Sequence, residues 1–319
     1  MPVALCAMSH SPLMGKVDPS PDVVAEVREA LDDAQRFVSD FDPELVVAFA
    51  PDHFNGFLYD VMPPFCVGTA ARSVGDYGVP AGALTVDAVS ARAVTRHVLN
   101  AGVDVACSEN MSVDHALAQP LVLLFGSIDA VPVLPVFVNC VAEPLGPAVR
   151  SLALGRAVGE ALAHDERRIL FLASGGLSHD PPVPRLAEAT PEVAERITVR
   201  RDVSAAARQE REARTIAAAR AFAAGESPHR DLNPAWDTEF LDACERDDLL
   251  PLASRPTAWF VEQAGHSAHE VRTWLAAYAA LRVSGVYRVT RRFYRPVREW
   301  IAGYAVTTAT TGGHRGAAA

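Results

Sequence analysis

The chain has 319 residues, half of them apolar, so it can bury a large core and reads as one catalytic domain slightly above the usual size. Its formal charge of -10 excludes a sequence-independent grip on nucleic acid or anionic lipid, both of which need a basic field, and favours a small-molecule substrate. Five cysteines, odd in number and without a C-x-x-C pair, exclude a zinc knuckle and a disulfide framework.

The N-terminus MPVALCAMSHSPLMG lacks the basic start and long apolar run of a secretory signal, and apolar runs elsewhere fall short of a membrane span. A cytoplasmic protein is expected. Residues 3–8 read as a buried strand, and Ser20-Pro21 then supplies an N-cap and a proline at the first helical position. Val23, Val24, Val27, Ala30, Leu31, Ala34 and Phe37 follow at helical spacing. Buried strands recur at 45–50, 131–138 and 168–173, with helices near 86–100, 116–125 and 147–164 between them. The alternation predicts an α/β fold, a central mixed sheet flanked by helices. From Pro181 the composition turns to Ala, Arg and Glu, which predicts a mostly helical C-terminal portion over 181–285, a lid or an interface. The domain is expected to end near 305, after the aromatic and basic stretch 291–304, with a disordered tail over 306–319. Gly175-Gly176 follows a strand without G-x-G-x-x-G or P-loop spacing, so no nucleotide site is expected.

Four of the ten histidines stand where such a fold places its chemistry. His10, His53 and His179 each follow a predicted strand, and ligand crevices of α/β sheets lie beyond the carboxyl ends of strands. His115 opens a predicted helix. Each has a small polar or acidic neighbour, in SHSP, PDHFNG, VDH and GLSH, able to orient an imidazole through a hydrogen bond. A lone histidine at a strand end is more often a satisfied polar residue than a ligand, and only the joint pattern argues otherwise. His97 and His164 fall in helical patterns, His229 in a polar loop and His314 in the tail. His269 directly precedes Glu270 at a helix start, and adjacent helical positions point about 100° apart, so the two are not expected to share one ligand.

The segments CAMSHSPLMG, LVVAFAPDHFNGFLYDVMPPFC, VDHALAQPL, VPVLPVFVN, FLASGGLSHDPPVP, HEVRTW and FYRPVREWIAGY, in this order, resemble the class III extradiol ring-cleavage dioxygenases over nearly the whole chain. The resemblance implies an Fe(II) enzyme that opens a catechol ring with O2. It implies iron ligands at His10, His53 and Glu270, and proton-transfer histidines at His115 and His179. Without it, Glu270 reads as a first-turn carboxylate stabilising its helix. Two histidines and a carboxylate on one face of iron leave three positions, two for catechol hydroxyls and one for dioxygen. His179 would act as base and His115 as acid.

The resemblance further implies a 3-substituted catechol with a carboxylated side chain, 3-(2,3-dihydroxyphenyl)propanoate or its cinnamate analogue. The aromatic C-terminal segment and the Ala/Arg-rich helices suggest the subunit contacts of a homo-oligomer. The side-chain carboxylate calls for an arginine or lysine that the sequence does not single out. Phe54, Tyr59, Met62, Pro63 and Phe65 read equally well as an apolar substrate wall or as loop packing. A zinc hydrolase remains open on the ligand set alone, as does a non-catalytic binding protein of the same fold.

Overall fold

The computed structural model describes residues 2–200 and 203–312. Its main sheet has eight strands in the order β10-β11-β1-β9-β2-β8-β3-β6. These are β1 (Val3–Met8), β2 (Leu45–Ala50), β3 (Phe65–Gly68), β6 (Ala106–Ser108), β8 (Val133–Val138), β9 (Ile169–Ser174), β10 (Tyr287–Val297) and β11 (Ala302–Thr311). A second sheet joins β5 (Gly82–Ala83), β4 (Ala71–Ser73) and β7 (Met111–Val113). The helices are α1 (Pro21–Phe41), α2 (Ala88–Asn100), α3 (His115–Phe125), α4 (Val149–Leu162), α5 (Pro191–Thr198), α6 (Ala205–Ala223), α7 (Pro234–Arg246), α8 (Leu250–Ala253), α9 (Thr257–Ala264) and α10 (Val271–Val283). None of the described helices is long and apolar enough to cross a membrane.

The runs VALCAM, LVVAFA, VLPVFV and ILFLAS are buried at every residue because helices cover both faces of the sheet. The period-2 pleat sorts each run between two cores. Val3, Leu5 and Ala7 face the layer containing α2, α4 and α10, whereas Ala4, Cys6 and Met8 face the layer containing α1 and α3. The four strands are parallel, so their carboxyl ends share one rim.

The β10–β11 hairpin corrects the expected boundary at 305. Residues 306–311 complete β11, which runs antiparallel to β1 with Met8 opposite Val306 and Ala4 opposite Thr310. Threonines at 307, 308, 310 and 311 gave this segment a tail-like composition, yet their β-branched side chains suit a strand. Val306 and Ala309 are fully buried. The remainder of the expected tail, 313–319 with His314, lies outside the described residues.

Helix α4 packs on α10 through glycine. A Cβ on Gly155 would stand 1.9 Å from the carbonyl oxygen of Ala276, and one on Gly159 would stand 2.6 Å from that of Ala280. Backbone on backbone cannot yield as a flexible side chain would. Gly155→Ala is therefore expected to destabilise the fold by about 1–3 kcal/mol through overpacking, read as a lower midpoint in denaturant unfolding. An unchanged midpoint would show that the two helices separate without cost.

Candidate metal centre and active site

Parallel pairing of β1, β9 and β2 brings the segments that follow them together. His10 lies just beyond β1, His53 just beyond β2, and His179 on the loop after β9. His115 is the first residue of α3, and its ring stacks on that of His53 with centroids 4.8 Å apart. The ring of His10 lies 5.5 Å from His53 and 5.3 Å from His115. Glu270 arrives from the far end of the sequence, at the close of the 3-10 turn His266–Glu270 that leads into α10. Its side chain is fully buried. All five sequence candidates thus converge at one place.

The loop carrying His53 is folded by Asp52, whose carboxylate accepts the N–H groups of Asn55, Gly56 and Phe57 at 2.9–3.1 Å. The loop carrying His179 needs Gly175-Gly176 for contact, not for phosphate. A Cβ at Gly175 would stand 2.8 Å from the backbone oxygen of Glu270, and one at Gly176 would stand 2.9 Å from the ring of His179. The Gly176 N–H donates to Glu270 Oε2 at 2.9 Å. Buried Asp237 anchors the same loop, accepting from the Ser178 backbone N–H and hydroxyl and from the Tyr294 hydroxyl, each at 2.7 Å.

Three of the four imidazoles are oriented by side chains far from them in sequence, and His179 by a backbone carbonyl of its own loop. His53 donates from Nδ1 to Asp114 Oδ2 at 3.0 Å, and its backbone N–H reaches the same oxygen at 2.8 Å. His115 donates from Nδ1 to Asp76 Oδ2 at 2.6 Å. His10 Nδ1 lies 3.0 Å from Ser174 Oγ, whose own proton is committed to the Ala116 carbonyl, so the ring is the donor. His179 Nδ1 donates to the Leu177 carbonyl at 3.1 Å. A side chain adjacent in sequence leaves the backbone in another direction, which is why Asp52 folds the loop and Asp114 orients the ring. Asp114 was legible only as a neighbour of His115, and Asp76, Ser174 and Asp237 carried no local pattern.

With all four Nδ1 atoms donating, Nε2 is the atom each ring turns to the cavity, carrying a lone pair wherever the ring is neutral. Glu270 Oε1 lies 3.2 Å from Nε2 of both His53 and His179, and Oε2 lies 3.8 Å from Nε2 of His10. Lone pairs aimed at a carboxylate repel unless a cation stands among them. The protein alone meets this with protons. Burial opposes protonation of His53, but Asp114 and Glu270 outweigh it and raise its pKa well above the usual imidazole value. His179 and His115 are likewise raised against burial, by Glu270 and by Asp76 with Asp114 respectively. Burial dominates at His10 and pushes it down to about 3, a neutral ring ready to coordinate. Glu270 is held well below the carboxylate range, since His179 and His10 outweigh its burial. The donor set therefore fits a metal cation.

Three ligand groupings compete on spacing, because His10, His53 and His115, and likewise Asp76, Asp114 and His115, also have ligand atoms within 4.8 Å of one another. In the last, both carboxylates already accept imidazole Nδ1 protons, which leaves two. Charge separates them. A divalent ion with only neutral ligands in a buried site keeps its full desolvation cost, whereas Glu270 supplies an anion. His269 stands apart, against Phe260 and Arg272, as the angular argument required.

Beside the histidines opens a cavity of about 250 Å³. Its cover comes from the C-terminal portion, through the prolines at 181, 182 and 184 and through helices α5 and α6. Of the suggested apolar wall, Phe54 lines the cavity. Tyr59 and Met62 pack around Phe54, and Phe65 belongs to the sheet core, so most of that run is loop packing. His97 pairs with Glu160 at the surface, and His229 and His266 flank Asp180.

Comparison with known proteins bears on what this arrangement is for. Residues 4–305 match the family model described as the catalytic LigB subunit of aromatic ring-opening dioxygenase. A Rhodococcus protein named 2,3-dihydroxyphenylpropionate/2,3-dihydroxicinnamic acid 1,2-dioxygenase is 59% identical over 97% of this chain and 98% of its own. Proteins of the same name from Rhodococcus jostii, at 56% over 97% and 98%, and Paraburkholderia xenovorans, at 54% over 94% and 95%, are similar along almost their full lengths. A single family model running from the first strand into the hairpin that closes the sheet leaves one assignment: the chain belongs to the family of catalytic LigB subunits of aromatic ring-opening dioxygenases.

Proposed function

We propose that the protein opens 3-(2,3-dihydroxyphenyl)propanoate, and its cinnamate analogue, by extradiol cleavage with O2. The products are 2-hydroxy-6-oxo-nonadienedioate and the corresponding nonatrienedioate. The observation that carries this reading is the ring of inward Nε2 atoms around one buried carboxylate, in a family of ring-opening dioxygenases. The family also speaks against the zinc-hydrolase alternative. His10, His53 and Glu270 are the residues that would hold Fe(II). Bound there, iron(II) supplies a redox centre to which a catechol and dioxygen can both bind.

The chain's own groups manage protons. Glu270 favours the imidazolium of His179 in the protein alone; with that carboxylate committed to iron the ring would be neutral, and because the Leu177 carbonyl fixes Nδ1 as the donor, Nε2 would be the basic atom that accepts a catechol proton as the substrate enters. The Asp76 carboxylate holds the proton on Nδ1 of His115 and favours the imidazolium, so Nε2–H is the acid that donates to oxygen as the ring opens. The covering segment 181–184 with α5 and α6 shields these transfers from bulk water.

Anaerobic loading with iron(II), followed by oxygen uptake across a panel of 3-substituted catechols, tests the reading. One O2 per catechol and a yellow ring-fission product are expected. An intradiol product, or no uptake with any catechol, would overturn it.

Asp114 joins three parts of the centre. It caps α3 through the Ala116 N–H, orients His53, and accepts from the Asn55 amide at 3.1 Å. Asp114→Asn is expected to weaken iron binding by about 10–100-fold, the usual scale for a group that orients a ligand. Metal titration of the purified variant measures this, and undiminished affinity would detach Asp114 from the centre.

A further inference from the structure

We infer that Arg196 and Arg211 form the subsite that holds the substrate's side-chain carboxylate, an inference resting on the ring-opening reading above. Three arginines line the cavity, Arg196 from α5 and Arg211 and Arg214 from α6. No aspartate or glutamate is among the described residues lining it. A cationic wall without its anion, in a protein of net charge -10, is not a product of overall composition.

The three arginines are not equivalent. Arg214 is exposed and pairs with Glu210 along its own helix at 2.6 Å, so its charge is already met. Arg211 is half-buried and donates from Nη2 to the neutral Asn55 Oδ1 at 2.7 Å, with no carboxylate among the described residues paired to it. Arg196 is half-buried, and its guanidinium has no hydrogen-bond or ion-pair partner among the described residues. Burial lowers its pKa first, and the like charges of Arg211 and Arg214 lower it further against the weaker pull of Glu192 and Glu210. Two guanidiniums that repel across a partly dehydrated wall gain most from an anion placed between them.

The rest of the lining is sorted to match. Imidazoles occupy one region of the cavity, while Phe54, Val183, Ile197 and Trp300 supply apolar surface. A ligand with a catechol ring, a short aliphatic stem and a terminal carboxylate presents the same three chemistries. Helix α6 is also tied to the rim: Tyr77 donates its N–H to Glu212 at 2.7 Å and its hydroxyl to Thr215 at 3.0 Å. Helix α5 is held in turn by the Tyr59 N–H, which donates to the Ile197 carbonyl at 2.8 Å, so both cations are carried on a fixed roof. Arg211 further reaches the centre through Asn55 and Asp114, so Arg196 gives the cleaner variant.

The probe is 3-phenylpropanoate, which has the carboxylate but no catechol hydroxyls, with 3-phenylpropan-1-ol as its neutral counterpart. By calorimetry on the iron-loaded protein, Arg196→Gln and Arg211→Gln should each weaken the acid by about tenfold or more relative to the alcohol. Arg196→Lys should recover part of the loss. In turnover, the ratio of kcat/KM for 3-(2,3-dihydroxyphenyl)propanoate over 3-propylcatechol should fall by a similar factor, through KM. Equal losses on acid and alcohol, or an unchanged ratio, would overturn the subsite. If no catechol is cleaved, yet the acid still binds in an arginine-dependent way, the subsite stands and the reaction reading fails.

Discussion

Glu270→Gln should lose iron while keeping its fold. The side chain is fully buried and supplies the anion among the three proposed iron ligands. Removing one partner from a buried charge pair costs about 3–5 kcal/mol, which corresponds to roughly a hundredfold to a few thousandfold in metal affinity. Glutamine retains the shape and an oxygen able to accept the Gly176 N–H, so the loss is one of charge. The iron-free protein supplies the control. There the carboxylate is paired with imidazoles that take up protons, so iron-free Glu270→Gln should lose that pairing and unfold, still cooperatively, at a moderately lower denaturant concentration than the iron-free parent. Iron analysis after equilibrium dialysis, paired with these unfolding curves, separates the two effects. Full iron content in the variant would remove Glu270 from the ligand set. A collapse in stability without iron would make it a structural carboxylate.

How far the sequence disclosed this site follows from the range of each interaction. His10, His53 and His179 were readable because uninterrupted apolar runs announce buried parallel strands, and residues beyond such strands share a rim. Glu270 was not readable this way. Nothing local distinguishes a metal carboxylate from one that caps a helix, and only the approach of α10 to the Gly175-Gly176 loop brings it inward. The partners that set tautomers were hidden for the same reason: Asp76 lies 39 residues from His115, and Ser174 lies 164 from His10. The β10–β11 hairpin was obscured by composition, since arginines and aromatics alternate on a strand that is half exposed, and threonine and alanine read as a tail. The carboxylate subsite needed the tertiary fold, because it takes one residue from each of two helices separated by a loop.

His115→Ala and His179→Ala should each keep iron and lose about 10²–10⁴-fold in ring opening, the range for a positioned acid or base. Their order in the reaction predicts different stages of failure. Nε2 of His179 is 3.2 Å from Glu270 and accepts a proton when catechol arrives, so its loss should weaken anaerobic catechol binding and the associated proton release. His115 is held by Asp76 at 2.6 Å and acts only once oxygen is admitted, so its variant should bind catechol normally without oxygen and then fail to form product. Asp76→Asn preserves a hydrogen-bond acceptor for Nδ1 but removes the charge favouring the imidazolium, and a smaller loss, about 10–100-fold, is expected. Anaerobic titration with catechol, followed by oxygen admission in stopped flow, reads both stages on one sample. A His179 variant with undiminished turnover at neutral pH would remove it from the base role. If the His115 variant instead fails at catechol binding, the two histidines have been assigned in the wrong order.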